Sequence, residues 1–289
     1  MLSSYGNVNG ERTYYNLVNL AGVLDIGCKI FKGADNALNN KPAVFTDYHG
    51  KNGLCGLELP GGRYPPPQFQ SVNMSMAANL EGVYELAKEF GDIKYIAVGP
   101  LTNLAALFEA FPDCADYVSE LIIMGGGFKV SNVANGAEYN FSMDADAVKK
   151  VLSTPVKKII APLDMTHKLA FSLEEIEDIV GMSRETSKKS ACVEAFEIFA
   201  ELFYLNYETA VKHYEAGAII HDAATLAYLL DPGKCELREY KISSDEYGAI
   251  QKAEKAEKDE AGCWAWIIEN IDRAFVKNML KETFGRLKV

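Results

Sequence analysis

His221 and Asp222 stand side by side ahead of the apolar run ATLAYLLDP. An imidazole titrates near neutrality and can hand a proton to a leaving group, while a neighbouring carboxylate can ligate a hard cation. The same aspartate has a structural use, because an acid at a helix start meets orphan N–H groups and the positive end of the helix dipole. His49 lies in DYHGKNGLCG, where glycines let the backbone approach a ligand closely. The alternative for His49 is a loop histidine with no role. His213, between Lys212 and Glu215 on a long amphipathic stretch, reads as solvated.

Other polar groups follow short apolar runs. Tyr95–Val98 ends in GPLTN, Leu121–Met124 in GGG and Lys158–Ala161 in PLDMTH, and Asn135, Glu138 and Asn140 come soon after the glycines. Ligands of open parallel sheets bind beyond the carboxyl ends of the strands, so these positions belong to one face of such a sheet. Taken singly, each has a bland explanation. Thr102 suits a helix N-cap, and a glycine run with neither GxGxxG order nor a following GK[ST] suits a tight turn.

These residues need a frame. Leu17, Leu20, Ala21, Leu24 and Ile30 recur at helical spacing and predict a helix over 11–31, with Gly33 as its stop. Ala43–Thr46 reads as a short buried strand and Asn73–Phe90 as a helix. From Tyr95 the chain alternates strand and helix: helices at Thr102–Phe111 and Asp144–Leu152 separate strands at Tyr95–Val98, Leu121–Met124 and Lys158–Ala161. That rhythm predicts an α/β fold, a Rossmann-like, mostly parallel sheet flanked by helices. Helices are expected at Ser190–Ala216, at His221–Leu229 and from Asp272, strands at Glu236–Ile242 and Trp264–Ile271, and a solvated loop or edge excursion over AIQKAEKAEKDEAG. Phe196, Phe199, Phe203 and Tyr207 form a core stripe whose last turns could border a pocket.

Composition narrows the partners. With 289 residues, 48% of them hydrophobic, the chain is expected to build one domain over 1–289. A net charge of -11 repels a polyanionic backbone and disfavours nucleic acid, yet suits a small neutral ligand or a cation. No apolar run approaches the roughly 18 residues a membrane span needs, and the start MLSSYGNVNG lacks the character of a secretion signal. A soluble, cytoplasmic protein with reduced, structural cysteines is expected.

With these residues in view, the sequence resembles the inosine-uridine nucleoside hydrolase family. SYGNVNGERTYYN, HGKNGL, AVGPLTNLA, IIMGGG, AEYNFSMDADA, PLDMTHK and HDAATLAYLLDP follow the order of the family's blocks, and the likeness runs from residue 3 to NIDRAFVKNML. The resemblance implies a Ca²⁺-dependent N-ribohydrolase that frees the base from a ribonucleoside, and commonly a dimer or tetramer. Carried over by position, Asp222 supplies a carboxylate and Met124 a backbone carbonyl to Ca²⁺, while Asn7, Glu138 and Asn140 hold the ribose. His221 matches a histidine near the leaving base, and His49 another close to that pocket.

The chain departs from the family in one large respect. The family's DxDxxxDD stretch, at the end of its first strand, provides metal ligands and the general base, and no such stretch occurs here. Asp25, Asp35 and Asp47 do not replace it in order or spacing. The expectation is a fold without its first strand and following helix, about 30 residues, with little turnover and poor stability as written. The alternative function is a nucleoside- or ribose-binding protein without catalysis. A smaller departure is HDAA, with alanine where many members carry proline after the aspartate, which a helix start tolerates.

Overall fold

The computed structural model describes residues 1–41, 43–59, 75–189, 194–214, 217–252 and 263–288. In chain order its elements are α1 (Gly10–Val23), α2 (Met76–Phe90), β1 (Ile93–Ala97), α3 (Thr102–Ala110), β2 (Val118–Met124), α4 (Tyr139–Ser142), α5 (Ala145–Leu152) and β3 (Lys157–Ala161). There follow α6 (Leu163–Thr166), β4 (Ala170–Phe171), α7 (Leu173–Val180), α8 (Arg184–Ser187), α9 (Ala195–Tyr214), β5 (Ala218–Ile219) and α10 (Ala223–Leu230). The chain then forms β6 (Cys235–Ser244), β7 (Ile250–Lys252), β8 (Cys263–Ile271) and α11 (Arg273–Leu287).

Six strands form the central sheet in the order β1-β2-β3-β8-β6-β7. The pairings from β1 to β8 are parallel and those of β6 with β8 and β7 antiparallel. Helices cover both faces, so the second half of β2, Leu121 to Met124, is an unbroken apolar run. Its Leu121 and Ile123 pack with α2, α3 and α5, while Ile122 packs on the opposite side with α7, α9, α10 and α11. The expected α/β architecture is present, with β7 and the two-stranded β4-β5 pair as additions too short to show a period. Residues 253–262, most of the polar segment expected to be a loop, lie outside the described residues.

Two expectations fail locally. The first helix stops at Val23, and Asp25 takes φ 50. Ile30 is buried because residues 31–34 run extended beside residues 1–5, so its apolar spacing reflects a ribbon. Residues 43–46 are not a strand: Val44 is 82% exposed, and among the described residues the segment pairs with no strand.

Near the N-terminus the sheet is interrupted. Ser3 N–H donates to Phe31 O, Tyr5 N–H to Ala34 O and Phe31 N–H to Met1 O, which lays residues 1–5 parallel to 31–34. Between this ribbon and β1 lies a gap of about 470 Å³, with Leu2, Ser4, Tyr5 and Gly6 on one side and Tyr95 to Gly99 on the other. Among the described residues no backbone hydrogen bond crosses it. The Ser4 hydroxyl is buried there without a partner. Asn103, in the wall of the gap, anchors the ribbon by accepting from Ala34 N–H and donating to Ser3 O.

Candidate active site

The carboxyl ends of β1 and β2 open on a cavity of about 500 Å³ whose wall includes Asn7, His49, Met124, Glu138, Asn140, His221 and Asp222, the seven residues to which the family resemblance gives a role. Topology brings them together. Met124 ends β2, Glu138 caps α4 after the glycine turn, His221 and Asp222 follow β5, and Asn7 follows the N-terminal ribbon.

Glu138 is 2% exposed. Its Oε1 accepts from Asn140 N–H at 2.8 Å, and its Oε2 from Gly126 N–H and Phe141 N–H, each at 3.1 Å. Burial pushes its carboxyl up to about 7 against the lowering effect of those donors. Three acceptor positions are occupied out of about four on a carboxylate, which leaves one for a ligand. Gly126 is required here: its φ is +73, and a Cβ would lie 2.5 Å from Ile250 Cδ1. The Asn140 amide donates to the Met124 carbonyl at 3.2 Å, leaving that oxygen a second lone pair.

Asp222 occupies the N-cap position of α10, but its side chain makes no capping hydrogen bond. Solvent reaches the carboxylate through the cavity, yet the protein around it displaces bulk water, and this desolvation raises it to about 7. His221 is half-buried; burial, then the His167 and His49 rings, lower it to about 4. Its Nδ1 lies 2.7 Å from the Thr166 hydroxyl, and the His167 ring is 5.6 Å away. Burial also lowers His49 and His167.

Some sequence assignments change. Thr102 is not an N-cap; its hydroxyl donates to the buried Asp144 at 2.7 Å. Asn135 is exposed and away from the cavity, accepting from Ala137 N–H, whereas Asn132 lines the wall. Asp164 of PLDMTH caps Phe128 and Lys129 N–H groups. His213, expected to be merely solvated, lines the cavity beside Asn206, and its ring meets Tyr48 at 5.3 Å. The signal for it was its place on the last turn of the long helix, whose end returns to the strand tips.

Among the described residues no three His, Cys, Asp or Glu side chains gather as a metal-holding group. Ca²⁺ takes six to eight oxygens. The cavity offers the Asp222 carboxylate and the Met124 carbonyl, and Glu138 is largely committed to backbone donors. This donor set does not complete a calcium shell.

Comparison with known proteins agrees with the fold. The plant nucleoside hydrolase PpNRh1 superposes with a TM-score of 0.79 at 23% identity, covering 98% of this chain and 89% of that one. A purine-preferring ribonucleoside hydrolase from Gardnerella vaginalis gives 0.82 at 19% identity, covering 99% and 89%. In sequence, the pyrimidine-specific ribonucleoside hydrolase RihA of Escherichia coli O1:K1 is 29% identical over 233 residues, 80% of this chain and 70% of that protein. The described helices include none long and apolar enough to cross a membrane. The pattern of the inosine-uridine preferring nucleoside hydrolases, a family of metal-dependent hydrolases, matches residues 1–278, and with the strand-end cavity in place the chain belongs to that family.

Proposed function

We propose that this cavity binds a ribonucleoside with its ribose against Asn7, Glu138 and Asn140 and its base towards His221 and His49. Hydrolysis adds water across the bond between the anomeric carbon and the base nitrogen; the bonding pair returns to the base, which must take up a proton. His221 passes that proton to the base and regains one through solvent as the attacking water gives up its own, so the ring ends unchanged, and His49 borders the same leaving group. The observation carrying this reading is the convergence of Glu138 and Asn140, at the start of α4, with His221 and Asp222, between β5 and α10, on one cavity from two segments far apart in the chain.

Calcium is the proposed ion, since the groups on the Asp222 and Met124 side are hard oxygens. Two protein groups, the Asp222 carboxylate and the Met124 carbonyl, would hold it only weakly. The substrate is a small neutral nucleoside met in the cytoplasm, as part of salvage or catabolism, by a protein that forms homo-oligomers. Nucleic acid and membrane are not partners.

The test is release of free base from uridine and inosine by the 289-residue chain, with and without calcium, beside 2′-deoxyuridine. A site that hydrogen-bonds a hydroxyl discriminates strongly against its absence, so kcat/KM for 2′-deoxyuridine should fall by about 10² or more. Comparable values for the two pyrimidine nucleosides would remove Glu138 and Asn140 from the ribose site. Nucleoside binding without base release would favour the binding-protein reading.

A further inference from the structure

Thr166 ends α6 fully buried, and its Oγ1 lies 2.7 Å from Nδ1 of His221. Among the described residues this ring nitrogen is the hydroxyl's only hydrogen-bond partner. A hydroxyl carries one hydrogen to donate and two lone pairs to accept. Were Nδ1–H the donor, the Thr166 hydrogen would be left in the interior with no acceptor, an uncompensated desolvation. Were the hydroxyl the donor, both groups would be satisfied, and the ring's single proton would sit on Nε2. Of the two ring nitrogens, Nε2 is the one left to meet an occupant of the cavity that His221 lines. His167, next in the chain after Thr166, packs its ring 5.6 Å from the His221 ring at 59° and restricts its reorientation.

We propose that Thr166 is a positioning residue: its hydroxyl donates to Nδ1 of His221 and holds the imidazole in the Nε2–H tautomer, with the proton aimed into the cavity. The hydroxyl thereby acts on chemistry that it does not touch. Without it the two tautomers compete, and a fraction of the molecules presents a lone pair where the leaving base needs a donor. This deepens the reading of His221 as proton donor and rests on it. The tautomer itself can be measured whether or not that reading holds.

The direct test is nitrogen-15 spectroscopy of the histidine rings at about pH 8, above the ordinary imidazole range, with His221 assigned by the signals lost in His221→Gln. The wild-type chain should show His221 with an unprotonated Nδ1 and a protonated Nε2. Thr166→Ser should keep that pattern, and Thr166→Val should move the ring towards a mixture. An Nδ1–H tautomer in the wild type, or an unchanged ring in Thr166→Val, would overturn the proposal. A kinetic arm separates positioning from packing. In Thr166→Val, kcat for uridine should fall about 10–100-fold with KM little changed, as for loss of acid catalysis. The loss should be far smaller for a nitrophenyl riboside, whose leaving group departs without protonation, and Thr166→Ser should restore the uridine rate. Equal losses on both substrates would assign Thr166 to packing alone and overturn the proposal. If the wild type cleaves neither substrate, the reading of the site as hydrolytic fails, and the ring spectra still decide the role of Thr166.

Discussion

Glu138 is a strut of the fold and, in the proposed reading, also a ribose ligand. Three backbone N–H groups from two segments end on its carboxylate, so Glu138→Gln would set an amide donor against a backbone donor. Leaving a buried group unsatisfied costs about 1–3 kcal/mol, and urea unfolding of the Gln variant should show a loss of that size; an unchanged midpoint would mean the loop re-forms without the carboxylate. Asp222 differs in having no capping duty. Asp222→Ala should therefore weaken calcium binding at least about tenfold, since it removes the charged oxygen ligand, whereas His221→Ala should slow turnover and leave that affinity nearly intact. Equal calcium affinity in wild type and Asp222→Ala, by calorimetry, would sink the ligand assignment. Both residues were legible in the sequence because a short polar block after an apolar run has few places to go in a parallel sheet. Thr166 and His213 were not, because each acquires its meaning from a partner distant in the chain, His221 for one and Tyr48 for the other.

Among the elements, α7 and α11 are joined by a bidentate pair, Arg273 to Glu175, with both N···O distances at 2.7 Å. The Arg273 guanidinium holds the Glu175 carboxyl down to about 2. A carboxyl whose folded value lies below its ordinary one stabilises the fold above the ordinary value and loses that contribution as pH falls towards the folded one. Glu175→Gln can keep the capping box that Ser172 and Glu175 form, but it removes the charge and turns one of the two acceptors that face Arg273 into a donor. Its melting temperature should lie below that of the wild type at pH 7, and the difference should shrink from about pH 4.5 downwards; the pair is partly solvated, so the effect is modest. A difference independent of pH would mean that the charge is not its source. Elements with a sustained period, α2, α5, β2, β3 and α10, stand close to where the residue pattern puts them. The 43–46 segment does not, because β propensity has no effect without an edge to pair with.

For the whole molecule, the deficit of metal ligands and the gap beside β1 lie together: both cavities share Asn7, Gly53, Leu54, Val98 and Asn140. The chain alone should bind calcium no tighter than about 10⁻⁴ M, the weak end of the protein range. A micromolar dissociation constant by calorimetry would show that another set of carboxylates does the work. The gap was anticipated only as a strand left out of the family pattern; its walls, an extended ribbon at residues 1–5 and the outer edge of β1, emerge from tertiary pairing that no local period encodes.

Those two facing edges also bear on the protein in concentrated solution. An uncovered strand edge is a template for any other extended chain, including a second copy of the same molecule. Residues 1–5 are tied to the body of the fold by Asn103 at Ser3 and by the Tyr5 hydroxyl at Thr102 and Met143, so Asn103→Ala should loosen one wall of the gap and raise the concentration dependence of light scattering, while Ser4→Lys should suppress it by putting a charge between the edges. The gap beside β1 would in this way also set how crowded the protein can become before it self-associates.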